Sequence, residues 1–220
     1  MQYPRQLMAI SHVVWDWNGT LLDDLEIVIE SLNVGIGRFG LPPIDDHQYR
    51  NHFTRPVRSF YQSLFSRPVT DREWQSLNKI FHDEYFSRVH RASLADDALE
   101  AIALTEQKGW NQSVLSMTTH DELVEIVASH GITDRFVLIE GLQTPTGGLK
   151  AAHLEQHLAK LGIDPANAVV VGDTPDDAMA AQTVGASVVL YDGGSHHVPV
   201  LVAAAAPVAH TLLSAIEKAA

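Results

Sequence analysis

Two apolar runs of this chain end abruptly in acidic residues, and these acids are the side chains best suited to chemistry. The run 13–15 is followed directly by Asp16, and the run 169–171 is followed by Asp173 and then by Asp177 at the start of an alanine-rich helix. The carboxyl ends of parallel strands meet at one edge of an open α/β sheet, where such sheets bind their ligands. Asp16 is therefore a candidate nucleophile, and the three carboxylates predict a hard oxygen site suited to Mg²⁺.

Alternating strand and helix patterns must position these acids. This alternation predicts an α/β fold with a doubly wound parallel sheet. Helical spacing after Pro207 predicts a closing helix. The strand-like runs are 13–15, 113–116, 136–139, 169–171 and 187–190.

One stretch, residues 23–91, breaks this rhythm. It carries most of the aromatic residues and reads as several amphipathic helices punctuated by proline. We expect it to be an α-helical cap inserted after the first strand, with residues 1–22 and 92–220 forming the α/β core. Glycines 35, 37 and 40 match the spacing of a dinucleotide-binding loop, but they lie within a helical pattern, which predicts a helix instead.

The two acidic segments resemble motifs of a known family. VVWDWNGTLL, residues 13–22, resembles the first motif of the haloacid dehalogenase-like phosphohydrolases, Asp-x-Asp-Gly-Thr, and VVVGDTPDD, residues 169–177, resembles their Gly-Asp-x-x-x-Asp metal motif. The helical insert is similar in layout to that of phosphoglycolate phosphatases. The resemblance implies a Rossmann-like core, Mg²⁺ as cofactor, and hydrolysis of a small phosphorylated substrate through a phosphoryl group carried on Asp16.

The resemblance also implies the ligands of the metal. Asp16 and Asp173 are expected to bind Mg²⁺ through their carboxylates, and Asn18 through its backbone carbonyl. Asp177 is expected to orient the site from its margin, with Asp176 as a weaker alternative.

Further residues take roles by the same resemblance. Ser116 lies where the family places a hydroxyl that binds a phosphoryl oxygen, and Thr118 competes for that role. Lys150 is expected to neutralise the nucleophile and the transferring phosphoryl group. Residues expected beside the substrate are Trp17, Gly19, Thr20 and Met117 from the motif turns, and Arg55 and Arg58 from a basic patch that is either a solvated helix face or part of a lid.

The chain departs from the family at Asn18, where the family has its second Asp. An amide cannot titrate, so Asn18 cannot act as a general acid or base. Three interpretations follow: a slow enzyme, an enzyme restricted to leaving groups that need no proton, such as acyl phosphates, or a protein that binds a phosphorylated ligand with little turnover.

Composition excludes several classes of function. Fifteen Lys and Arg against 27 Asp and Glu give a net charge of −12, which argues against a nucleic-acid partner. The absence of cysteine excludes disulfides, thiolate metal sites and a Cys nucleophile, and the 12 histidines show no metal-binding spacing. Residues 1–9 lack an apolar leader core, and no run approaches the roughly 18 apolar residues of a membrane helix. We expect a cytoplasmic protein without a membrane partner; the sequence does not indicate an oligomeric state.

Overall fold

Eight strands form a six-stranded sheet and a separate two-stranded ribbon in the computed structural model, which describes residues 10–144 and 149–219. Residues 1–9, on which the expectation about a leader depends, lie outside the described residues. The strands are β1 (His12–Trp15), β2 (Leu22–Asp23), β3 (Ser93–Leu94), β4 (Asn111–Thr119), β5 (Ile139–Leu142), β6 (Ala168–Gly172), β7 (Ser187–Tyr191) and β8 (Val208–Ala209).

The larger sheet is parallel throughout, with the order β5-β4-β1-β6-β7-β8. Its central strands are covered on both faces, so β1 and β6 are buried along their whole length and, apart from His12, consist of apolar residues and glycine. Side chains alternate between the faces, so Val13 and Trp15 pack in one core cluster and Val14 packs in another. The predicted doubly wound α/β fold is confirmed.

Ten α-helices lie among the described residues. Helices packing on one face of the large sheet are α5, α6 and α10, and those on the other face are α7, α8 and α9. Their bounds are α1 (Leu25–Gly37), α2 (Asp46–His52), α3 (Val57–Phe65), α4 (Asp71–Arg88), α5 (Ala98–Gln107), α6 (His120–Ser129), α7 (Lys150–Leu161), α8 (Pro175–Val184), α9 (Val198–Ala203) and α10 (Leu212–Lys218).

Helices α1 to α4 form a group with its own apolar cluster, which includes Leu32, Tyr49, Phe60 and Leu77. Strands β2 and β3 pair antiparallel at the two ends of this group. Gly35 and Gly37 lie within helix α1, so the predicted helix is present where the glycine spacing resembles a nucleotide-binding loop. The division of the chain into core and cap domains stays a prediction.

One strand differs from its prediction: β5 covers 139–142 rather than 136–139. Phe136 is buried in the core just after a short 3₁₀ turn, so its apolar character comes from packing there and not from a strand position. Just before the strand, the Val137 amide donates to the Gln112 carbonyl of β4 and the Leu138 carbonyl accepts from the Val114 amide of β4, each at 2.9 Å. The apolar run therefore marks the approach to the strand and not the strand itself.

A buried polar chain links the sheet to helix α7. Ser113 Oγ lies 2.7 Å from Nε2 of His12 and 2.7 Å from Nε2 of His157, whose Nδ1 is 2.6 Å from Glu140. Burial, with a smaller effect from the neighbouring His157, lowers the pKa of His12 to about 4. His12 is therefore a neutral core residue at pH 7.

Within residues 10–144 and 149–219, none of the helices has both the length and the apolar character that crossing a membrane requires.

Candidate active site

Three neighbouring strands deliver the candidate catalytic residues to one edge of the sheet. Asp16 follows β1, Ser116 lies near the end of β4, and Asp173 follows β6, and β1 is hydrogen-bonded between the other two strands. The Asp16 amide donates to the Val171 carbonyl at 2.8 Å, which extends the β1–β6 pairing to the acidic residue itself. The fold thus assembles side chains that lie up to about 160 residues apart.

An acidic cluster, consisting of Asp16, Asp173 and Asp177, forms the floor of the site. One carboxylate oxygen from each lies within 4.8 Å of the others, and all three residues are buried. Lys150, the first residue of α7, forms ion pairs with Asp16 and Asp177 and is itself only 6% exposed. The cluster thus holds three carboxylates and one buried ammonium, which pairs with two of them.

This imbalance perturbs the titration of the cluster. Burial raises the pKa of Asp16 to about 7, although Lys150 opposes the shift, and burial together with Asp177 raises the pKa of Asp173 to about 6. Burial acts in the same direction on Asp177, but Lys150 and Thr174 outweigh it and lower the pKa of that carboxyl. The pKa of Lys150 is raised, because its two carboxylate partners outweigh burial.

The acidic cluster fits a hard divalent cation. Its donors are carboxylate oxygens, the ligands that Mg²⁺ and similar ions prefer, and they converge from two segments of chain. A cation there would stabilise the ionised carboxylates and so oppose the burial and repulsion that raise the pKa values of Asp16 and Asp173.

Two glycines make room for the cluster. Gly19 has φ of 72°, a conformation that disfavours other residues, and a Cβ there would lie 2.6 Å from Asp173 Oδ2. A Cβ on Gly172 would lie 2.3 Å from Asp177 Cγ. Side chains at either position would displace the carboxylates.

Asn18 is held by four hydrogen bonds. Its Nδ2 donates to Asp24 at 2.8 Å and to the Tyr85 hydroxyl at 2.7 Å. Its Oδ1 accepts from the hydroxyls of Thr118 at 2.7 Å and Ser116 at 3.2 Å. The side chain is therefore fixed, with its carbonyl directed towards the hydroxyls of β4.

Asp24 and Tyr85 are residues that the sequence analysis missed. The Asp24 carboxylate accepts from three donors: Asn18, the Tyr85 hydroxyl at 2.6 Å and the Gly19 amide at 2.9 Å. Burial raises the pKa of Asp24, while these donors oppose the shift by stabilising the ionised form. Position 24 is the N-cap of α1, a common place for Asp, but its side chain caps no helix amide. Sequence alone suggests an ordinary cap.

A cavity of about 750 Å³ extends from the acidic cluster to helices α2–α4. Ser116, Met117 and Thr118 line it, as do Arg55 and Arg58. Arg58 already contacts Asp71 at 2.7 Å, and Arg55 Nε lies 3.9 Å from Asp176.

Three of the residues expected beside the substrate do not line this cavity. Trp17 follows β1 in a turn and packs in the main core. Gly19 and Thr20 line a separate, smaller pocket beside Asp23. Any contact that these residues make with a substrate stays a prediction.

Comparison with known proteins places this site in a family. The model of the haloacid dehalogenase-like hydrolases matches residues 13–191. A phosphoglycolate phosphatase of Mesorhizobium japonicum is 26% identical over 187 residues (83% of this chain and 82% of the relative), and one of Chromobacterium violaceum is 28% identical over 193 residues (83% and 85%). A haloacid dehalogenase-like hydrolase structure from Streptococcus pneumoniae superposes with a TM-score of 0.82 at 19% identity, over 95% of this chain and 98% of that one. Because the family model covers residues 13–191, which include the helical segment and every acid of the cluster, the chain belongs to the haloacid dehalogenase-like hydrolases.

Proposed function

We propose that this protein is a magnesium-dependent phosphohydrolase that acts on a small phosphorylated metabolite through an aspartyl phosphate on Asp16. The observation that carries the proposal is the buried Asp16 carboxylate, paired with Lys150 and within 4.8 Å of oxygens from Asp173 and Asp177. The curated relatives named phosphoglycolate phosphatases support a phosphate ester as substrate.

In the first step, a carboxylate oxygen of Asp16 attacks phosphorus. The new O–P bond forms as the bond to the leaving oxygen breaks, and that oxygen departs with the electron pair. Lys150 offsets negative charge beside the nucleophile, and the hydroxyl of Ser116 rotates from Asn18 to donate to a phosphoryl oxygen. Asp16, Asp173 and the backbone carbonyl of Asn18, with Asp177 at the margin, would hold Mg²⁺, which would supply further positive charge to the site.

Asn18 sets the limit on this chemistry. Its amide hydrogen-bonds neighbouring groups but neither donates a proton to a leaving alkoxide nor takes one from the attacking water. Turnover is therefore slow or restricted to leaving groups that are stable as anions. The alternative, a binding protein with little turnover, is not favoured, since the curated relatives are named as phosphatases.

We also propose that residues 23–91 act as a cap over the cavity. Contacts between the helical segment and the core support this: Arg55 faces Asp176 of α8, and Arg50 donates to the Gly194 carbonyl. Substrate would enter when these contacts open.

The test measures phosphate release from acetyl phosphate with Mg²⁺. The wild type is expected to turn over, and Asp16→Asn to be inactive, because an amide is not a nucleophile. Asp134→Asn, which removes the charge of an exposed acid in a 3₁₀ turn, is the matched control. Borohydride reduces an aspartyl phosphate to homoserine with release of phosphate, so trapping followed by peptide mapping should find homoserine in place of Asp16; equal turnover by Asp16→Asn would contradict the proposed nucleophile.

A further inference from the structure

The cavity is much larger than a two-carbon phosphate ester requires. Its 750 Å³ lies within the roughly 300–1,000 Å³ of sites that enclose drug-sized ligands. With about 30 Å³ for each water, it would hold on the order of 25 water molecules. A substrate that fills it carries a sizeable group besides the phosphate.

Half-buried rings line the part of the cavity formed by the helices. We call Phe53, Trp74, Phe81 and Phe86 the aromatic wall; each lines the cavity and keeps part of its surface uncovered by protein. Buried neighbours fix these rings: Trp74 packs edge-on against Tyr61, with 5.9 Å between centroids. Rings held in this way favour offset or edge contact with another aromatic group.

The arginines that line the cavity are engaged with acids. Arg58 contacts Asp71 at 2.7 Å and donates to the Val69 carbonyl at 2.6 Å. Arg55 faces Asp176, with Nε 3.9 Å from the carboxylate. Each guanidinium therefore already has an acidic neighbour, which a substrate carboxylate would have to displace.

The remaining basic groups give the same result. Lys150 is paired within the acidic cluster, and burial lowers the pKa of His82, which keeps its ring neutral at pH 7. Among the described lining residues, five aspartates face three permanent cations. A bound Mg²⁺ would offset this difference of two charges, so what disfavours a second carboxylate on the substrate is that each of these cations already has an acidic partner.

The end of the cavity beside Asp16 favours a leaving group that departs as a stable anion. Asn18 offers no proton, and its carbonyl is directed to Ser116 and Thr118. Phenols ionise near pKa 10, as Tyr does, whereas the pKa of water and of alcohols is far higher, so a phenolate leaves without the protonation that an alkoxide needs.

We infer that the substrate is an aryl phosphate monoester, with its neutral aromatic group against the aromatic wall and its phosphate beside Asp16. This inference rests on the proposed function. Asp16 forms the O–P bond as the aryl oxygen leaves with the electron pair as phenolate, which later takes a proton from solvent. The apolar rings at one end and the missing acid at the other select the same class of ester.

The test compares initial rates of phosphate release from three phosphate esters and one acyl phosphate with Mg²⁺. 1-Naphthyl phosphate combines an aromatic group with a stable leaving anion. Benzyl phosphate has the aromatic group without the stable leaving anion, and acetyl phosphate has the stable leaving anion without the aromatic group. 2-Phosphoglycolate has neither property. The expected kcat/KM for naphthyl phosphate exceeds that for phosphoglycolate at least tenfold. Benzyl phosphate should have a lower kcat/KM than naphthyl phosphate because its alkoxide needs a proton, and acetyl phosphate because it lacks the aromatic group.

Trp74→Ala tests the aromatic wall. It should raise KM for naphthyl phosphate about tenfold and leave acetyl phosphate kinetics unchanged, while Trp74→Phe, which keeps a ring, should retain most of the affinity. Trp110→Ala is the matched control: Trp110 is also half-buried, but Lys108 covers its ring and it does not line the cavity. Circular dichroism checks that each variant is folded.

The outcomes separate the two proposals. Turnover with a higher kcat/KM for phosphoglycolate than for naphthyl phosphate overturns the aryl assignment and leaves the phosphohydrolase intact. An unchanged naphthyl KM in folded Trp74→Ala also overturns the assignment. Release of phosphate from none of the four compounds overturns the proposed function and the aryl assignment with it.

Discussion

Restoring an acid at position 18 is expected to destabilise this protein. The Asn18 amide donates to Asp24 at 2.8 Å, so Asn18→Asp replaces that donor by a second carboxylate at the same distance. At an effective dielectric constant of about 20, two charges that close repel by about 6 kcal/mol. The pair avoids this by taking up a proton, which costs at most about 4 kcal/mol at pH 7 for an acid of ordinary pKa near 3.9.

The expected loss of unfolding free energy is therefore about 2–4 kcal/mol at pH 7, towards the lower value because burial already raises the pKa of Asp24. The folded variant binds one proton more than the unfolded chain, so its stability should recover as the pH falls to 5. Exchanging the two groups in Asn18→Asp/Asp24→Asn restores an amide–carboxylate hydrogen bond and should recover the stability at pH 7.

Urea unfolding at pH 7 and pH 5 measures these differences, with Asn111→Asp as a control at an exposed position. The double variant also places a titratable group beside the β4 hydroxyls, so its turnover of benzyl phosphate should rise about 10²-fold. An Asn18→Asp variant as stable as the wild type at pH 7 would refute the reasoning, because Asp24 would then already carry a proton. A double variant no more stable than the single one would also refute it.

Three further predictions concern the metal, the buried histidine and the buried lysine. Asp173→Asn should abolish the rise in melting temperature on adding Mg²⁺, while Asp176→Asn keeps it; an unchanged response in the first variant would place the metal elsewhere. The pKa of His12 is about 4 in the folded protein and 6.5 in the unfolded chain, so the unfolded chain binds more protons between these pH values. Up to about 3 kcal/mol of unfolding free energy should therefore be lost as the pH falls through that window. His12→Gln should flatten this slope in urea titrations, and a slope equal to that of the wild type would contradict the prediction. Lys150→Met should cost about 3–5 kcal/mol in urea unfolding by leaving buried carboxylates unpaired, and a loss below 1 kcal/mol would contradict that role.

Local signals in the sequence were sufficient for the parallel sheet and for its acidic edge. Asp16 and Asp173 each follow a run of buried residues, and a strand that ends on an acid can be recognised from neighbouring positions alone. Lys150 lies 134 residues from Asp16, and only the resemblance to a family indicated it. The start of β5 was misplaced because pairing with β4, and not apolarity, defines where that strand begins.

The surroundings of Asn18 could not be read from sequence. They depend on Tyr85, which lies 67 residues away and reaches the site only because helix α4 packs against α1. They depend also on the direction of the Asp24 side chain, since the same residue in another rotamer would cap its helix. Side-chain direction and long-range helix packing both follow from the completed fold. The assignment of the site residues to their catalytic roles stays a prediction.

The short ribbon of β2 and β3 has a consequence for how this protein can be altered. Leu22 pairs with Leu94 and Asp23 with Ser93, so the chain leaves for the helices and returns from them at adjacent positions. A hairpin loop of about 2–5 residues spans such a gap. Exchanging the helical segment for that of a relative at this ribbon would leave the strands that carry Asp16 and Ser116 in place, but it would also replace Asp24 and Tyr85, which hydrogen-bond Asn18. A graft that keeps an acid at position 24 and a tyrosine at position 85 would preserve the contacts that fix Asn18, whereas a simple turn in place of the helices would remove the Tyr85 contact.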